Sequence, residues 1–209
     1  WLMRTLWDRG LLYEGHRVVP YCGLCGTALS SHEVAQGYAD VEDASVYVRF
    51  PVTDGPAPLE GADLVVWTTT PWTLPSNTAA AVGEQITYVR VEGGTGGVPS
   101  GRDLVMAEAA RARRYPESTV LAEFPGSDVV GVRYERPFED LEVPSGVDGW
   151  RVVAGDFVST DDGSGIVHLA PAFGADDARV ATDEGLPTLN PVDAKAEFTS
   201  AIPRFAGRF

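Results

Sequence analysis

Residues 65–77 read Val-Val-Trp-Thr-Thr-Thr-Pro-Trp-Thr-Leu-Pro-Ser-Asn, and the rest of the chain is organised around this stretch. Residues 64–67 are apolar on both faces, which predicts a buried strand. Pro71 ends the strand because proline has no N–H to donate to a ladder. The strand then delivers three hydroxyls to its end, those of Thr68, Thr69 and Thr70. Strand ends that face a cleft are common sites of chemistry, although threonine is also simply a good strand former.

The composition limits the function classes open to the chain. It has 209 residues and is 44% hydrophobic, which is sufficient for one domain of ordinary size and a small appendage. No apolar run reaches the roughly 20 residues of a membrane span, and residues 1–12 do not form a signal peptide. The net charge of −14 argues against broad binding along nucleic-acid phosphates. The chain begins at Trp1 rather than at Met, inside a helical pattern, so we expect a piece of a longer protein.

The two cysteines, Cys22 and Cys25, are too close in sequence to form a disulfide framework, which predicts a reducing cytoplasm. Their spacing is that of half a zinc site, and a structural zinc usually has four protein ligands. His16 and His32 are nearby, but neither has a convincing spacing. The pair is therefore a metal half-site whose partners lie elsewhere, a reduced pair in a loop, or a redox motif. The residues that follow do not open a helix as a redox motif would.

Most of the chain after Val34 has the pattern of short strands. A glycine-rich segment, 93–101, predicts a surface loop, and it lacks the Gly-Lys-Ser/Thr ending of a phosphate loop. Residues 103–115 have apolar residues at helical intervals and predict a helix. Three arginines crowd its last turn: Arg111, Arg113 and Arg114. They are a phosphate contact or, as charge runs more commonly are, a solvated helix end.

Residues 161–177 form a second group of candidate site residues. A short strand is predicted at 166–169 with His168 on it, and a helix is predicted at 175–184 with Asp176 and Asp177 in its first turn. These acids could simply stabilise the helix start, and His168 could be an ordinary core histidine. The alternative is a pocket in which the imidazole and a carboxylate face the three threonines. In that pocket the carboxylate would bind a cationic group such as an α-ammonium.

The two stretches together resemble the editing domain of isoleucyl-tRNA synthetase, the insertion called connective peptide 1 in that class I enzyme. The resemblance is carried by Trp-Thr-Thr-Thr-Pro-Trp-Thr-Leu-Pro-Ser-Asn at 67–77 and by Gly-Ser-Gly-Ile-Val-His-Leu-Ala-Pro-Ala-Phe-Gly-Ala-Asp-Asp at 163–177. It extends to residues 19–33, and so covers nearly the whole chain. Two long motifs in this order form a specific signal. Ser164 departs from the threonine more frequent in the family, but it keeps the hydroxyl.

The resemblance implies hydrolysis of mischarged valyl-tRNA(Ile), and of valyl-adenylate as a second substrate. It assigns Asp177 to the substrate α-ammonium, and Thr68, Thr69 and Thr70 to the terminal adenosine and the attacking water. It places His168, Trp67 and Asn77 in the same pocket, with His168 discriminating valine from isoleucine. No protein nucleophile and no cofactor are implied for editing, since a positioned water can suffice. ATP belongs to the parent catalytic domain, and a structural zinc to the full-length enzyme.

The fold expected from this resemblance is α+β, a β-barrel-rich editing domain with a few peripheral helices. Residues 1–33 would be a connecting arm with the cysteine half-site, and residues 34–209 would be the editing domain. The expected partners are the 3′ end of tRNA(Ile) with esterified valine and the rest of the synthetase chain, in the cytoplasm and without a membrane. The rival hypothesis is a non-catalytic module that holds the tRNA 3′ end or a metal for a larger synthetase. A third is a related editor of another amino acid, such as threonine.

Overall fold

The computed structural model describes residues 1–143 and 145–209, and in this part of the chain six strands close into a barrel. Their bounds are β3 (Val46–Asp54), β4 (Asp63–Thr68), β5 (Ala79–Val82), β9 (Arg133–Tyr134), β10 (Arg151–Ala154) and β11 (Ile166–Leu169). Around the barrel they follow the order β4–β11–β5–β10–β9–β3 and return to β4. The closure and the small number of helices confirm the predicted α+β class.

Three more strands extend the sheet beyond β4. They run in the order β7 (Leu104–Ala107), β6 (Thr87–Val91) and β8 (Val120–Pro125), with β7 parallel to β4. Two helices lie outside the barrel, α3 (Glu108–Arg114) and α4 (Ala175–Glu184). The N-terminal part contains α1 (Leu2–Asp8), β1 (Tyr21–Cys22), β2 (Thr27–Ala28) and α2 (Ser31–Ala35), with β1 and β2 paired as a separate hairpin.

The barrel encloses the main apolar core, in which Phe50, Leu64, Val66, Val152 and Ile166 are fully buried. A second cluster forms where α4 packs its Val180 and Ala181 against barrel strands. Burial of apolar surface on this scale is the main favourable term in folding. The packing of α4 matters for function because the first turn of this helix carries Asp177.

The closure of the barrel brings the two sequence motifs together. β11 pairs with β4 in parallel through Val167 opposite Trp67, and with β5 in antiparallel through His168 opposite Ala80. The ends of β4 and β11 therefore lie side by side, although about 100 residues separate them along the chain. Strand β5 reads Ala-Ala-Ala-Val, and its small side chains are fully buried beside β11.

The helix predicted for residues 103–115 is wrong in its first half. Leu104–Ala107 is the strand β7, and only Glu108–Arg114 is helical. All four residues of β7 are buried, and they pair with β6 on one side and β4 on the other. A short apolar run fits a buried strand or a buried helix equally well, so tertiary pairing decided between them.

In the arginine cluster of α3, Arg113 and Arg114 are exposed, as predicted for a solvated helix end, and the phosphate contact stays a prediction. Arg111 pairs with Glu108 at 2.8 Å, and Arg114 stacks over the ring of Tyr47 at 4.1 Å. Arg113 donates to the carbonyls of Thr160 at 2.7 Å and Gly163 at 3.3 Å. Arg111 thus pairs within its own helix, whereas Arg114 contacts β3 and Arg113 contacts the loop that precedes β11.

The N-terminal part lies largely on the surface. Helix α1 buries none of its residues, and it is shorter than the helical pattern of residues 1–13 predicts. The predicted strand 17–21 is reduced to Tyr21–Cys22. The Tyr21 hydroxyl donates to the carbonyl of Ala194 at 2.6 Å, so the hairpin contacts the C-terminal segment. The boundary at residues 33 and 34 stays a prediction. No helix in the described residues is long and apolar enough to cross a bilayer.

Candidate functional site

A cavity of about 400 Å3 opens where β4 and β11 end. Six of the predicted site residues line it, and they come from both motifs: Trp67, Thr68, Thr69, Thr70, His168 and Asp177. Thr73, Trp72 and Phe173 complete much of the wall. The structure thus brings the hydroxyl residues, the imidazole and the carboxylate to one place.

The first wall forms because β4 stops in a defined way. After Thr68, the chain turns into a 3₁₀ helix, Pro71–Ser76, with Thr70 before its first residue. Proline suits that first position because a backbone N–H there would have no partner within the helix. The Thr68 hydroxyl oxygen accepts the backbone N–H of Thr70 at 3.0 Å, which fixes the turn. We call Thr68, Thr70, Thr73 and His168 the hydroxyl wall.

Hydrogen bonds join the hydroxyl wall into one chain. The Oγ1 atoms of Thr68 and Thr70 are 3.3 Å apart, and those of Thr70 and Thr73 are 3.2 Å apart. Thr73 Oγ1 lies 2.8 Å from His168 Nε2 and donates to the Thr70 carbonyl at 2.8 Å. Thr68, Thr73 and His168 are 5–6% exposed, whereas Thr70 is only half-buried and is the member of these hydrogen bonds most open to the cavity.

The carbonyl of Thr70 fixes the direction of these hydrogen bonds. A hydroxyl has one proton, and a carbonyl can only accept, so the Thr73 proton is used on Thr70. His168 Nε2–H and the Thr70 hydroxyl must then donate to Thr73, and the Thr68 hydroxyl donates to Thr70. All three threonine protons are therefore used inside the wall. Thr68 and Thr70 present only oxygen lone pairs to the cavity.

His168 is held neutral. Burial lowers the pKa of its imidazole from 6.5 to about 4. The hydrogen-bond direction places the proton on Nε2, and Nδ1 is buried without a hydrogen-bond partner among the described residues. A neutral imidazole with this pKa is a weak base near pH 7, and Thr73 is buried, so the pair is poorly suited to nucleophilic catalysis.

The second wall is a single carboxylate. Asp177 lies in the first turn of α4, and its Oδ2 accepts the backbone N–H of Ala170 at 2.8 Å. It does not cap the helix, since Gly174 occupies the N-cap position without a side-chain cap bond. Burial raises the pKa of the Asp177 carboxyl above its ordinary value. Oδ1 has no hydrogen bond from another described residue, so this oxygen is free to bind a cation. We call Asp177 the acid wall.

Three glycines lie so close to neighbouring residues at or behind the two walls that a Cβ would collide with them. A Cβ on Gly174 would lie 2.7 Å from Cγ of Asp177, and a Cβ on Gly163 would lie 2.6 Å from the Trp67 ring. Gly165 has φ +77° and a Cβ there would lie 2.5 Å from Cβ of Ala107. The positive φ and these close approaches require glycine at positions 163 and 165.

Asn77 is the predicted pocket residue that the structure does not bring to the cavity. It is 1% exposed, and its side chain is used in the barrel. The amide nitrogen donates to the carbonyl of Ala79 at 2.9 Å, and the amide oxygen accepts the hydroxyl of Tyr134 at 2.9 Å. Asn77 therefore joins β5 to β9 behind the site rather than contacting a ligand.

Thr73 is the site residue that the sequence analysis missed. It is the centre of the hydroxyl wall, with contacts to both Thr70 and His168. A signal was present, because residues three apart eclipse one another in a 3₁₀ helix. A 3₁₀ turn starting at Pro71 would have placed the hydroxyl of residue 73 beside that of residue 70.

The cysteine half-site is separate from the cavity. Cys22 and Cys25 are both free, and the Cys25 backbone N–H donates to the Cys22 sulfur at 3.2 Å, which lowers the pKa of Cys22. Two adjacent thiols in a tight turn suit one half of a zinc site. No group of three or more metal-binding side chains occurs among the described residues, so any further ligands would come from elsewhere.

A larger cavity, of about 490 Å3, lies on another part of the surface. It is lined by Glu84, Asp156, Asp183 and Glu184, with Arg179 paired to Asp156 at 2.8 Å. It contains no hydroxyl chain and no imidazole in its described walls. Convergent chemical groups rather than volume therefore make the smaller cavity the candidate functional site.

The chain is similar in sequence to isoleucine–tRNA ligases of several bacteria. No family model matches the chain. It is 46% identical over its whole length to isoleucine–tRNA ligase of Streptomyces coelicolor, and 45% identical to that of Cutibacterium acnes. The Thermus thermophilus isoleucine–tRNA ligase is 48% identical over 94% of the chain. The chain spans about a fifth of the length of these relatives, at 19%, 21% and 18% respectively.

Solved structures show the fold. GlLeuRS-CP1 matches with a TM-score of 0.52 at 16% identity, over 67% of this chain and 60% of its own. The editing domain of the cytosolic leucyl-tRNA synthetase of P. knowlesi matches with a TM-score of 0.52 at 12% identity, over 68% of this chain and 64% of its own. By the sequence identities above the chain belongs to the isoleucyl-tRNA synthetase family, and its fold is that of the two leucyl-tRNA synthetase domains.

Proposed function

We propose that this domain hydrolyses the ester of mischarged valyl-tRNA(Ile). The observation that carries the proposal is the cavity itself, where a single carboxylate with a free oxygen faces a neutral wall of oxygen acceptors. An aminoacyl ester has a cationic α-ammonium next to the carbonyl that must be attacked. The two walls match these two parts of the substrate.

The acid wall would bind the α-ammonium. Oδ2 of Asp177 is occupied by the Ala170 N–H, which orients the carboxylate and leaves Oδ1 for the ligand. A charge-assisted hydrogen bond is roughly twice as strong as a neutral one, and partial burial strengthens it further. The raised pKa of Asp177 reflects the cost of a carboxylate without a cation, and an ammonium would remove that cost.

The hydroxyl wall would orient the attacking water. Because Thr68 and Thr70 present lone pairs, a water can donate its protons to them and direct its own oxygen lone pair at the ester carbonyl. The water oxygen adds to the carbonyl carbon, the bond from that carbon to the ribose oxygen breaks, and the ribose oxygen receives a proton. Free valine and the uncharged tRNA leave. Orientation alone can supply a large part of such a rate increase.

Selection against isoleucine would follow from the size of the cavity. In an apolar pocket, one methylene is worth only about 1–3 kcal/mol, and this enzyme family is the standard example of that limit. A second pocket that accepts valine and sterically rejects isoleucine multiplies the discrimination. Trp67 and His168 would form the rejecting wall, since Gly163 packs on Trp67 and burial keeps His168 in place.

The test compares two neighbouring aspartates in the full-length protein. Asp177→Ala removes the acid wall, whereas Asp176→Ala is the matched control, because Asp176 is 66% exposed and lies outside the cavity. Deacylation of valyl-tRNA(Ile) and isoleucyl-tRNA(Ile) is measured for each. We expect kcat/KM for the valyl ester to fall at least about 100-fold in Asp177→Ala only.

Two results would contradict the proposal. One is equal deacylation of the valyl ester by Asp177→Ala and the unmodified protein. The other is binding of the tRNA 3′ end without any hydrolysis by the unmodified protein, which would favour a non-catalytic module. If Cys22 and Cys25 hold half of a structural zinc in the full-length protein, that metal would stabilise the N-terminal hairpin and take no part in this reaction.

A further inference from the structure

The loop between β10 and β11, residues 155–165, contacts the proposed editing site through Trp67. Gly163 of this loop lies against the indole, and a Cβ at this glycine would be 2.6 Å from atoms of the ring. Gly163 also has φ +68°, a conformation that favours glycine. The backbone of the loop therefore packs directly on Trp67, which lines the site cavity.

The last two residues of the loop are fixed by the strands that extend the sheet beyond β4. The Ser164 carbonyl accepts the backbone N–H of Ala107 at 2.8 Å, and the Gly165 carbonyl accepts the Tyr88 hydroxyl at 2.6 Å. Ala107 ends β7, and Tyr88 is a fully buried residue of β6. Residues 164 and 165 thus have rigid partners of their own.

The middle of the loop is held by the guanidinium of Arg113. Among the described residues, the hydrogen bonds of residues 159–163 are the two that Arg113 donates, to the Thr160 carbonyl at 2.7 Å and to the Gly163 carbonyl at 3.3 Å. A guanidinium suits this task because its donors are arranged as a rigid fork and its charge strengthens each bond. Arg113 is exposed, so these bonds rather than its burial are its contribution to the structure.

We propose that Arg113 is a positioning residue for the selection of valine over isoleucine. This inference rests on the proposed function, in which Trp67 forms part of the wall that rejects isoleucine. Rejection of one additional methylene requires a wall that does not yield, since a methylene in a soft apolar pocket changes a rate only about 10- to 200-fold. By holding Gly163 against the indole, Arg113 keeps Trp67 from moving aside.

Two other neighbours of Trp67 are held by strand pairing rather than by Arg113. Trp67 lies opposite Tyr47 of β3 and opposite Val167 of β11. Loss of Arg113 should therefore release the loop side of the indole while β4 keeps its place. Asp177 and the threonines of the hydroxyl wall receive no hydrogen bond from Arg113 among the described residues, so the reaction itself should persist. The expected change is one of selectivity.

The experiment measures kcat/KM for valyl-tRNA(Ile) and isoleucyl-tRNA(Ile) with the full-length protein and its arginine variants. In Arg113→Ala we expect hydrolysis of the isoleucyl ester to rise, so that the ratio of the valyl to the isoleucyl value falls about tenfold, while the valyl value changes less than about twofold. Arg111→Ala is the matched control, because Arg111 lies on the same helix and bonds to Glu108 and Pro116 instead of the loop. It should leave the ratio unchanged.

Arg113→Lys is the second variant. A lysine ammonium can still donate to a backbone carbonyl, although it lacks the fork that reaches two at once. This variant should therefore keep most of the selectivity that Arg113→Ala loses. A gradation from arginine through lysine to alanine would tie the selectivity to the hydrogen bonds with the loop.

Three results would overturn the proposal. One is an unchanged ratio in Arg113→Ala, and another is an equal fall of the ratio in Arg111→Ala, which would indicate general damage to α3. The third is an equal rise in KM for both esters in Arg113→Ala that becomes smaller at high salt, since this would make Arg113 a phosphate contact. If the unmodified protein hydrolyses neither ester, the proposed function fails, and this inference fails with it.

Discussion

The hydroxyl wall and the acid wall face each other across one cavity, yet they satisfy their polar groups in opposite ways. In the hydroxyl wall, Thr68, Thr70, Thr73 and His168 bond to one another, and burial keeps the imidazole neutral. In the acid wall, Asp177 has one backbone donor and a pKa raised by burial. Among the described residues, the hydroxyl wall leaves one neutral nitrogen, His168 Nδ1, without a partner, whereas the acid wall leaves a carboxylate oxygen without one.

This difference separates what holds the site together from what binds the substrate. A buried network in which the hydroxyl groups are all paired rigidifies a structure, whereas a buried carboxylate with one unpaired oxygen costs stability until it binds a cation. Changes to the hydroxyl wall should therefore appear first in the free energy of unfolding. Changes to the acid wall should appear first in the kinetics of deacylation.

The largest expected effect is on the pH dependence of stability through His168. The unfolded state gains a proton near pH 6.5, but the folded state gains it only near pH 4. The free energy of unfolding should therefore fall as the pH falls through this window, by about 3 kcal/mol in all at 1.36 kcal/mol per pKa unit. Urea unfolding from pH 7 to 4 would measure this, with the curve of His168→Gln subtracted to remove the carboxylates. Parallel curves for the two proteins would show that His168 is not held neutral.

The next largest effect concerns Gly174, which leaves room for Asp177. In Gly174→Ala the new Cβ must displace a carboxylate that it would otherwise approach within 2.7–2.9 Å. A misplacement of a binding group by about 1 Å can cost about 100-fold in rate, so we expect a loss of that size in the deacylation of valyl-tRNA(Ile). Gly185→Ala at the other end of α4 is the control. It has φ +66° and no atom near its Cβ position, so it should cost about 1 kcal/mol of stability and leave the kinetics intact.

Thr73 tests whether the hydroxyl wall is one unit. Thr73→Val removes the acceptor for two donors, the Thr70 hydroxyl and His168 Nε2–H, at nearly constant volume. Unpaired buried donors of this kind cost about 1–3 kcal/mol, which urea unfolding at pH 7 would detect. Thr73→Ser keeps the hydroxyl and should lose much less. If the two variants were equally stable, the hydrogen-bond chain would contribute nothing to the fold.

The smallest expected effect is a change in melting temperature whose sign is opposite to that of most mutations that remove activity. Asp177→Asn removes a partly buried carboxylate that lacks a cation, so the protein should melt at the same or a higher temperature at pH 7 while losing deacylation. Asp176→Asn removes an exposed acid from the first turn of the same helix, and should lower stability by about 0.3–1 kcal/mol. Thermal melts of the pair would show it, and a lower melting temperature for Asp177→Asn than for Asp176→Asn would refute the contrast.

The bounds of several elements were predictable because proline and glycine residues mark where those elements end. The strand Ile166–Leu169 and the helix Ala175–Glu184 have the bounds that the sequence predicts, since Pro171 and Gly174 separate them and Gly185 ends the helix with a left-handed φ. Six of the predicted residues of the two motifs line one cavity, because each motif ends an apolar strand and the two strands are neighbours in the barrel.

Other features depended on partners that no local pattern specifies. Residues 104–107 became a strand because β4 and β6 lie on either side of them. The side chain of Asn77 lies outside the cavity and accepts a hydrogen bond from Tyr134, which is 57 residues away in sequence. Arg113 of α3 donates to the carbonyls of Thr160 and Gly163, about 50 residues away in sequence. Thr73 was overlooked because its role depends on His168, which lies 95 residues away.

The sequence by itself determined where strands stop and which polar groups follow them, because proline, glycine and apolar runs act on their immediate neighbours. Only the tertiary structure decided which of those groups share a wall, which protons they use and which oxygen stays free. These depend on the relative positions of β4, β11 and α4, which are fixed by the closure of the barrel and the packing of its core.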